Sequence, residues 1–249
     1  MNFALHEQSQ HNPLLQKLES ISVLSDEEKQ AILHLPMNVR VLEADTDIVR
    51  DGDRPSDCCL ILSGFICRYK VLSDGRRQIM GFYIPGDIPD LQSLHLQVID
   101  NSVGTLVKSS VALIPHQSLR DLWQRYPNLG EILWRDTLID AAMFREWLIG
   151  VGRRSAYQRI AHLLCELLMR MKAVGLANES GCDLPVTQSE FGDALGLSTV
   201  HVNRVLQDLR RDGLIVLRGS SLTIPDWEAL QTAGDFDPAY LHLIKEEAP

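Results

Sequence analysis

The sequence predicts an α+β chain in three successive parts: an N-terminal antiparallel β-roll of jelly-roll type, one long helix, and a C-terminal winged helix-turn-helix. Three observations carry this. Residues 38–115 are short apolar runs (VRVLEA, CCLILSG, FICRYKVL, QIMGFYI, SVGTLV, SVALIP) separated by turn signals (DGDRPSD, SDGRR, PGDIPD). Many short strands at close spacing imply a sandwich or barrel. Between Gly130 and Gly150 no Pro or Gly interrupts a helical pattern. Residues 188–206 (QSEFGDALGLSTVHVNRVL) carry the residues that two short helices meeting at a sharp angle require.

Taken in order, residues 13–35 read as helical, and Ser25-Asp-Glu-Glu28 has capping-box spacing. Asp74-Gly75 lies between two strand-like runs and marks a hairpin turn. Helical pattern resumes from Ser118, is broken at Tyr126-Pro127-Asn128, and continues to Val151. That second stretch carries two apolar stripes. One contains Ile132, Ile139, Met143 and Gly150; the other contains Leu133, Thr137, Phe144, Leu148 and Val151. A helix apolar on two sides is covered on two sides, one by its own roll and one by a second subunit. Ile132, Ile139, Met143 and Trp147 are assigned to that subunit interface. Gly150-Val-Gly152-Arg-Arg-Ser155 reads as a hinge, followed by a helix over 156–173 and a polar loop through Gly175, Asn178 and Gly181. GLIVLRGSSLTIP reads as strand, tight turn and strand, the wing. The tail beyond Trp227 is acidic and shows no periodic core pattern.

The helix-turn-helix carries the function. Phe191, Leu195, Leu197, Val202 and Val205 fill the core shared by its two helices, and Gly192 stands where their backbones come close. Gly196 occupies the turn, where positive φ is needed. Thr187 and Glu190 form another capping box, and Ser198 caps the second helix. The second helix is then the reading helix, its first turns in the major groove of duplex DNA. With Val202, Val205 and Leu206 inward, Thr199, Val200, His201, Asn203 and Arg204 face DNA. Arg204 suits a guanine edge and Val200 a thymine methyl. Thr187, Gln188 and the amides behind Ser198 suit phosphate.

Bulk properties fit this reading. Net charge is −9, yet residues 153–223 hold nine Lys/Arg against seven Asp/Glu, so a slightly basic module is joined to an acidic body. The apolar share of 45 % is ordinary for a globular core. No run is long enough to span a membrane, and no secretory signal is evident. Cys58, Cys59, Cys67, Cys165 and Cys182 form no CxxC pair, which points to a reducing cytoplasm. His6, His11, His34, His95 and His116 have no metal-ligand spacing, and neither metal nor cofactor is expected. Nucleophile-elbow, P-loop and HExxH motifs are all missing, so the chain reads as a non-enzyme. The alternative is an adaptor or sensor whose helix-turn-helix binds protein; salt-dependent binding to duplex DNA separates the two.

At this point the chain resembles the Crp/Fnr transcription regulators. Gly52, Ile61 and Gly64 fit the start of the β-roll of that family, and Gly86-Asp87 fits the turn before its effector segment. Ala156-x-x-Arg159-Ile-Ala161 fits the entry to the DNA domain, and Gly196-Leu-Ser198 through Arg204 the reading helix. The resemblance covers about residues 15–224. It implies a homodimer on a near-palindromic operator, RNA polymerase as a further partner, and a small-molecule effector of unassigned identity. It implies a sensor domain over 1–125, a dimerisation helix and hinge over 126–152, a DNA-binding domain over 153–224 and a tail over 225–249. Effector-pocket candidates by the same alignment are Leu91, Asn101, Ser102 and Phe144. The departures argue against cyclic nucleotide. Asn101 stands where cyclic-nucleotide-binding members place the phosphate-binding Arg, and Leu91 where they place the ribose-binding Glu. No cysteine precedes Cys58, so the N-terminal iron–sulfur ligands of the oxygen-sensing members are missing too. Val200 stands where many members carry an acidic base reader, so the operator is expected to differ from the best-known half-sites.

Overall fold

The computed structural model describes residues 12–244; His6, His11 and the last five residues lie outside that range. The chain divides into two units. Described residues up to Tyr69, Phe82–Asp140 and Leu243–Ile244 form the first; Lys70–Gly81 and Ala141–His242 form the second.

The first unit opens with two short helices, α1 (Pro13–Glu19) and α2 (Asp26–Leu33). The Ser25–Glu28 capping box is formed, with the Ser25 amide 2.8 Å from the Glu28 carboxylate. Seven strands follow along the chain: β1 (Asn38–Leu42), β2 (Asp47–Val49), β3 (Asp57–Ser63), β4 (Ile66–Val71), β5 (Arg77–Tyr83), β6 (Ser102–Thr105) and β7 (Ser109–Pro115), of which the end of β4 and most of β5 belong to the second unit. They pair antiparallel in two sheets, β1-β7-β3 and β2-β6-β4-β5, as the alternation of short apolar runs and turns requires. Two helices close the unit: α3 (His116–Arg125), then the start of α4 (Pro127–Arg153).

The largest core here joins Leu14, Leu18 and Ile21 of α1, Leu60 and Ile114 of the sheet, and Leu129, Ile132, Leu133 and Ile139 of α4. A buried ion cluster reinforces it. The Lys17 ammonium lies 3.1 Å from Asp87 and 3.3 Å from Asp136, so one cation ties α1 to the Gly86-Asp87 turn and to α4. Burial raises the Asp136 carboxyl, and Lys17 acts against that shift.

The residues assigned to the subunit face are largely covered within the single chain. Ile132 and Ile139 are each 3 % exposed and Met143 is 8 % exposed within the single chain. Trp147 is half-buried and donates its indole N–H to Glu166. The stripe expected to meet a second copy is therefore the one the chain covers itself. The exposed apolar residues of α4 are Trp134, Leu138, Phe144, Leu148, Ile149 and Val151.

In the second unit α5 (Ala156–Ala173) is the central element, with Ile160, Leu164, Leu167 and Leu168 all fully buried. Around it lie α6 (Gln188–Leu195), α7 (Thr199–Arg211), a wing sheet ordered β8-β10-β9 and α8 (Trp227–Ala233). The wing strands are β8 (Gly181–Asp183), β9 (Val216–Arg218) and β10 (Ser221–Thr223). Two expectations change here. Gly150 and Gly152 are helical residues inside α4; the chain breaks at Arg154-Ser155, where Ser155 and Gln158 cap α5 with a capping box. The tail is also structured. Leu230, Phe236 and Leu241 are buried, and Pro238–Leu241 makes a 3₁₀ turn.

Candidate nucleic-acid interface

The helix-turn-helix forms from the local signals in its sequence. Thr187 accepts from the Glu190 amide at 3.3 Å, and the Glu190 carboxylate accepts from the Thr187 amide at 2.6 Å. Two of the orphan amides at the start of α6 are thereby satisfied. Gly196 ends α6 at φ 66°, ψ 39°, the left-handed conformation that costs a side-chain-bearing residue steric energy. A Cβ at Gly192 would lie 2.6 Å from the Leu197 carbonyl oxygen, so only glycine lets α6 approach the turn this closely. Ser198 caps α7, accepting from the His201 amide at 3.2 Å. Phe191, Leu195, Val202, Val205 and Leu206 are buried between the two helices and α5. Leu197 is half-buried.

With those residues inward, α7 presents one face to solvent. Ser198, Thr199, Val200, His201 and Arg204 are all exposed. Val200 is 71 % exposed and stands fully on this outer face. Among the described residues Arg204 has no ion-pair or side-chain hydrogen-bond partner, whereas Arg211 is held by Asp208 at 2.7 Å. A free guanidinium on the outer face keeps its planar fork for a bidentate acceptor.

Thr187 is exposed beside this face, spent on its cap. Gln188 and Asn203 are half-buried and joined: the Asn203 side-chain amide donates to the Gln188 carbonyl at 3.0 Å. The eight expected DNA-contacting residues thus lie on α6, α7 and their caps. A supporting residue escaped the sequence reading of this site. Arg159 of α5 donates to the Leu195 carbonyl at 2.9 Å and so holds the end of α6 from behind.

The effector candidates have differing surroundings. Leu91 is buried in the leucine-rich core with Leu94 and Leu122, so it is a packing residue. Asn101 is buried and donates to Asp100 at 2.7 Å; Ser102 accepts from the Asp51 amide at 3.1 Å. Phe144 is 49 % exposed on the part of α4 that belongs to the second unit. In the roll, Arg68 of β4 is a buried guanidinium, and it already has a counter-ion: Asp140 at 2.8 Å. Arg68 also donates to the Pro89 carbonyl and lies over the Tyr83 ring. Asp90 accepts from the Cys59 amide at 2.7 Å, and burial raises its carboxyl to about 6. Cys58, Cys59, Cys67 and Cys165 are buried, and burial raises the Cys165 thiol to about 12, which suppresses the reactive thiolate.

An antiparallel roll, a long helix and a winged helix-turn-helix with an exposed reading face define a DNA-binding transcription regulator. Comparison with known proteins agrees. Residues 158–233 match the model of the Crp-like helix-turn-helix domain, and residues 39–126 that of the cyclic nucleotide-binding domain. The chain is similar to the transcriptional activator protein FnrL of Cereibacter sphaeroides, 29 % identical over 215 residues that cover 84 % of this chain and 86 % of that protein. It is 26 % identical over 188 residues to the fumarate and nitrate reduction regulatory protein of Escherichia coli K12, with 75 % of each chain covered. Among solved structures, FixK2 of Bradyrhizobium japonicum superposes with a TM-score of 0.73 at 26 % identity, covering 80 % of this chain and 98 % of that one. The two matched domains, in this order, and the similarity along most of the chain support a regulator of the Crp/Fnr type. No helix among the described residues is long and apolar enough to cross a membrane.

Proposed function

We propose that the protein regulates transcription as a homodimer that reads two inverted half-sites on duplex DNA, about one helical turn apart. The observation that carries this is the outer face of α7, where Arg204 is exposed, without a partner among the described residues, beside the exposed Thr199, Val200 and His201. Arg204 donates two hydrogen bonds to the O6 and N7 of a guanine, and Val200 contacts a thymine methyl. RNA polymerase is the further partner that regulation requires. Binding-site selection tests the assignment. Wild type selects a symmetric site; Arg204→Ala loses on the order of 1–3 kcal/mol per base contact and relaxes preference at one symmetric pair of positions. Identical preferences for both proteins at every position would show that Arg204 reads no base.

Cyclic nucleotide is not the effector in this reading. A cyclic phosphate taken into the roll needs a buried cation, and the residue at the expected position is Asn101, already bonded to Asp100. The guanidinium of Arg68 in the roll is paired with Asp140 at 2.8 Å. Calorimetry with cyclic AMP and cyclic GMP at micromolar concentration is expected to give no heat of binding. A stoichiometric titration with either nucleotide overturns this.

A further inference from the structure

Three amide side chains cross the helix-turn-helix in a single hydrogen-bonded line. The Gln207 amino group donates to the Asn203 carbonyl at 2.9 Å, one turn back along α7. The Asn203 amino group donates to the Gln188 carbonyl at 3.0 Å, across the turn to the first residue of α6. Each link runs in the same direction, from donor to acceptor, toward Gln188. With its carbonyl occupied, the group Gln188 has left to offer is its amino group, which is only a donor. Duplex DNA meets such an end with one abundant acceptor, the phosphate oxygen.

The same line decides what Asn203 does. An asparagine that reads adenine presents carbonyl and amino group together to the N6 and N7 edge. Here both ends of the Asn203 amide are held by protein, and the residue is half-buried where Val200, His201 and Arg204 are exposed. Turning the amide toward a base breaks two hydrogen bonds, one of them the link that orients Gln188.

We propose that Asn203 is a positioning residue: it aims the Gln188 amino group at one DNA phosphate per half-site, and base discrimination falls to Val200, His201 and Arg204. This rests on the DNA-reading function proposed above. Because glutamine is uncharged, the contact releases no counterion, so its loss weakens binding without changing the salt slope. Because the residues act as a unit, their losses do not add.

The test combines Asn203→Ala, Gln188→Ala and the double variant with operators carrying a neutral methylphosphonate at single phosphates. Expected are a loss of about tenfold in affinity for each single variant and no further loss in the double. Base preference at every position and the salt dependence stay as in wild type. At one phosphate per half-site, the methylphosphonate weakens wild type but leaves both variants unaffected. A purely structural residue would not produce that phosphate-specific coupling. Gln207→Ala, which frees the far end of the line on an exposed surface, gives a smaller loss coupled to the same phosphate. A changed base preference in Asn203→Ala, or the full methylphosphonate penalty retained by it, overturns the proposal while leaving the DNA-reading function intact. A wild-type protein that selects no site overturns both.

Discussion

Replacing Leu138 and Leu148 together by Glu is expected to turn a dimer into a folded monomer and to weaken operator binding at least on the order of a hundredfold. Both side chains stand out from α4 in the single chain, Leu138 at 50 % and Leu148 at 66 % exposure. They share that side with Trp134, and along a helix pair the spacing 134, 138, 141, 148 keeps to one seam. A row of large apolar groups in water is stable only when covered, and a two-fold helix pair covers it with a second copy of itself. Across a two-fold helix pair each new carboxylate faces its own copy, so like charges meet in the seam and oppose association. The chain's own core is untouched, and the unfolding transition of the isolated monomer stays cooperative. The contrasting pair, Ile139→Glu with Met143→Glu, strikes buried positions and is expected to abolish folding instead. Sedimentation settles the matter: a wild-type monomer at micromolar concentration, or a dimeric Leu138→Glu/Leu148→Glu variant, removes α4 from the interface.

That contrast shows what can be read from a sequence and what cannot. Caps and turns are short-range, and their chemistry is written in adjacent letters. The boxes at Ser25–Glu28 and Thr187–Glu190, the left-handed Gly196 and the close approach at Gly192 all appear as the residues require. The alternating runs of 38–115 likewise determine their strands, because a strand half-buried against a core must alternate. On α4 the pattern says only that two faces are apolar. Which one meets the chain's own sheets depends on how α1, the roll and α4 pack, and no local spacing encodes that. Gly150 and Gly152 mislead for a related reason: glycine lowers helix propensity by about 1 kcal/mol, but neighbours on the same helix override it.

The tail and the effector region were hidden by distance in sequence. Leu230, Phe236 and Leu241 match neither a 3.6 nor a 2 period, yet all three are buried. Their partners lie some seventy residues earlier, as with the Phe236 ring, 5.0 Å from the ring of His162. Leu91 and Asn101 are positions carried over by resemblance, which transfers a place in the chain but not its surroundings; Leu91 lies among the leucines of the core. The reading face needed no such transfer, because the inward set Val202, Val205 and Leu206 leaves the outward set by subtraction.

Glu166→Ala is expected to destabilise the second unit by about 3–5 kcal/mol, the cost of breaking a buried ion pair by removing its carboxylate. Glu166 sits on α5 with no exposed surface. Its carboxylate accepts from the Trp147 indole at 3.1 Å and from the Tyr240 hydroxyl at 2.8 Å, and the Arg170 guanidinium lies 3.6 Å away. One carboxylate therefore gathers the end of α4, the middle of α5 and the tail. Burial raises its pKa, while Arg170 and the two hydrogen bonds oppose that rise. Removing it takes away the carboxylate that both Arg170, itself 5 % exposed, and the Trp147 N–H face. Tyr240→Phe is the milder control. It deletes one hydrogen bond to Glu166 and one to His162 but leaves the charges paired, so about 1–2 kcal/mol is expected. Trp147 supplies an internal reporter, since its emission should shift toward that of a water-exposed indole in Glu166→Ala and much less in Tyr240→Phe. Denaturant unfolding measures both variants. If Glu166→Ala unfolds within 0.5 kcal/mol of wild type, on the order of an ordinary surface substitution, the carboxylate does not hold these three segments together.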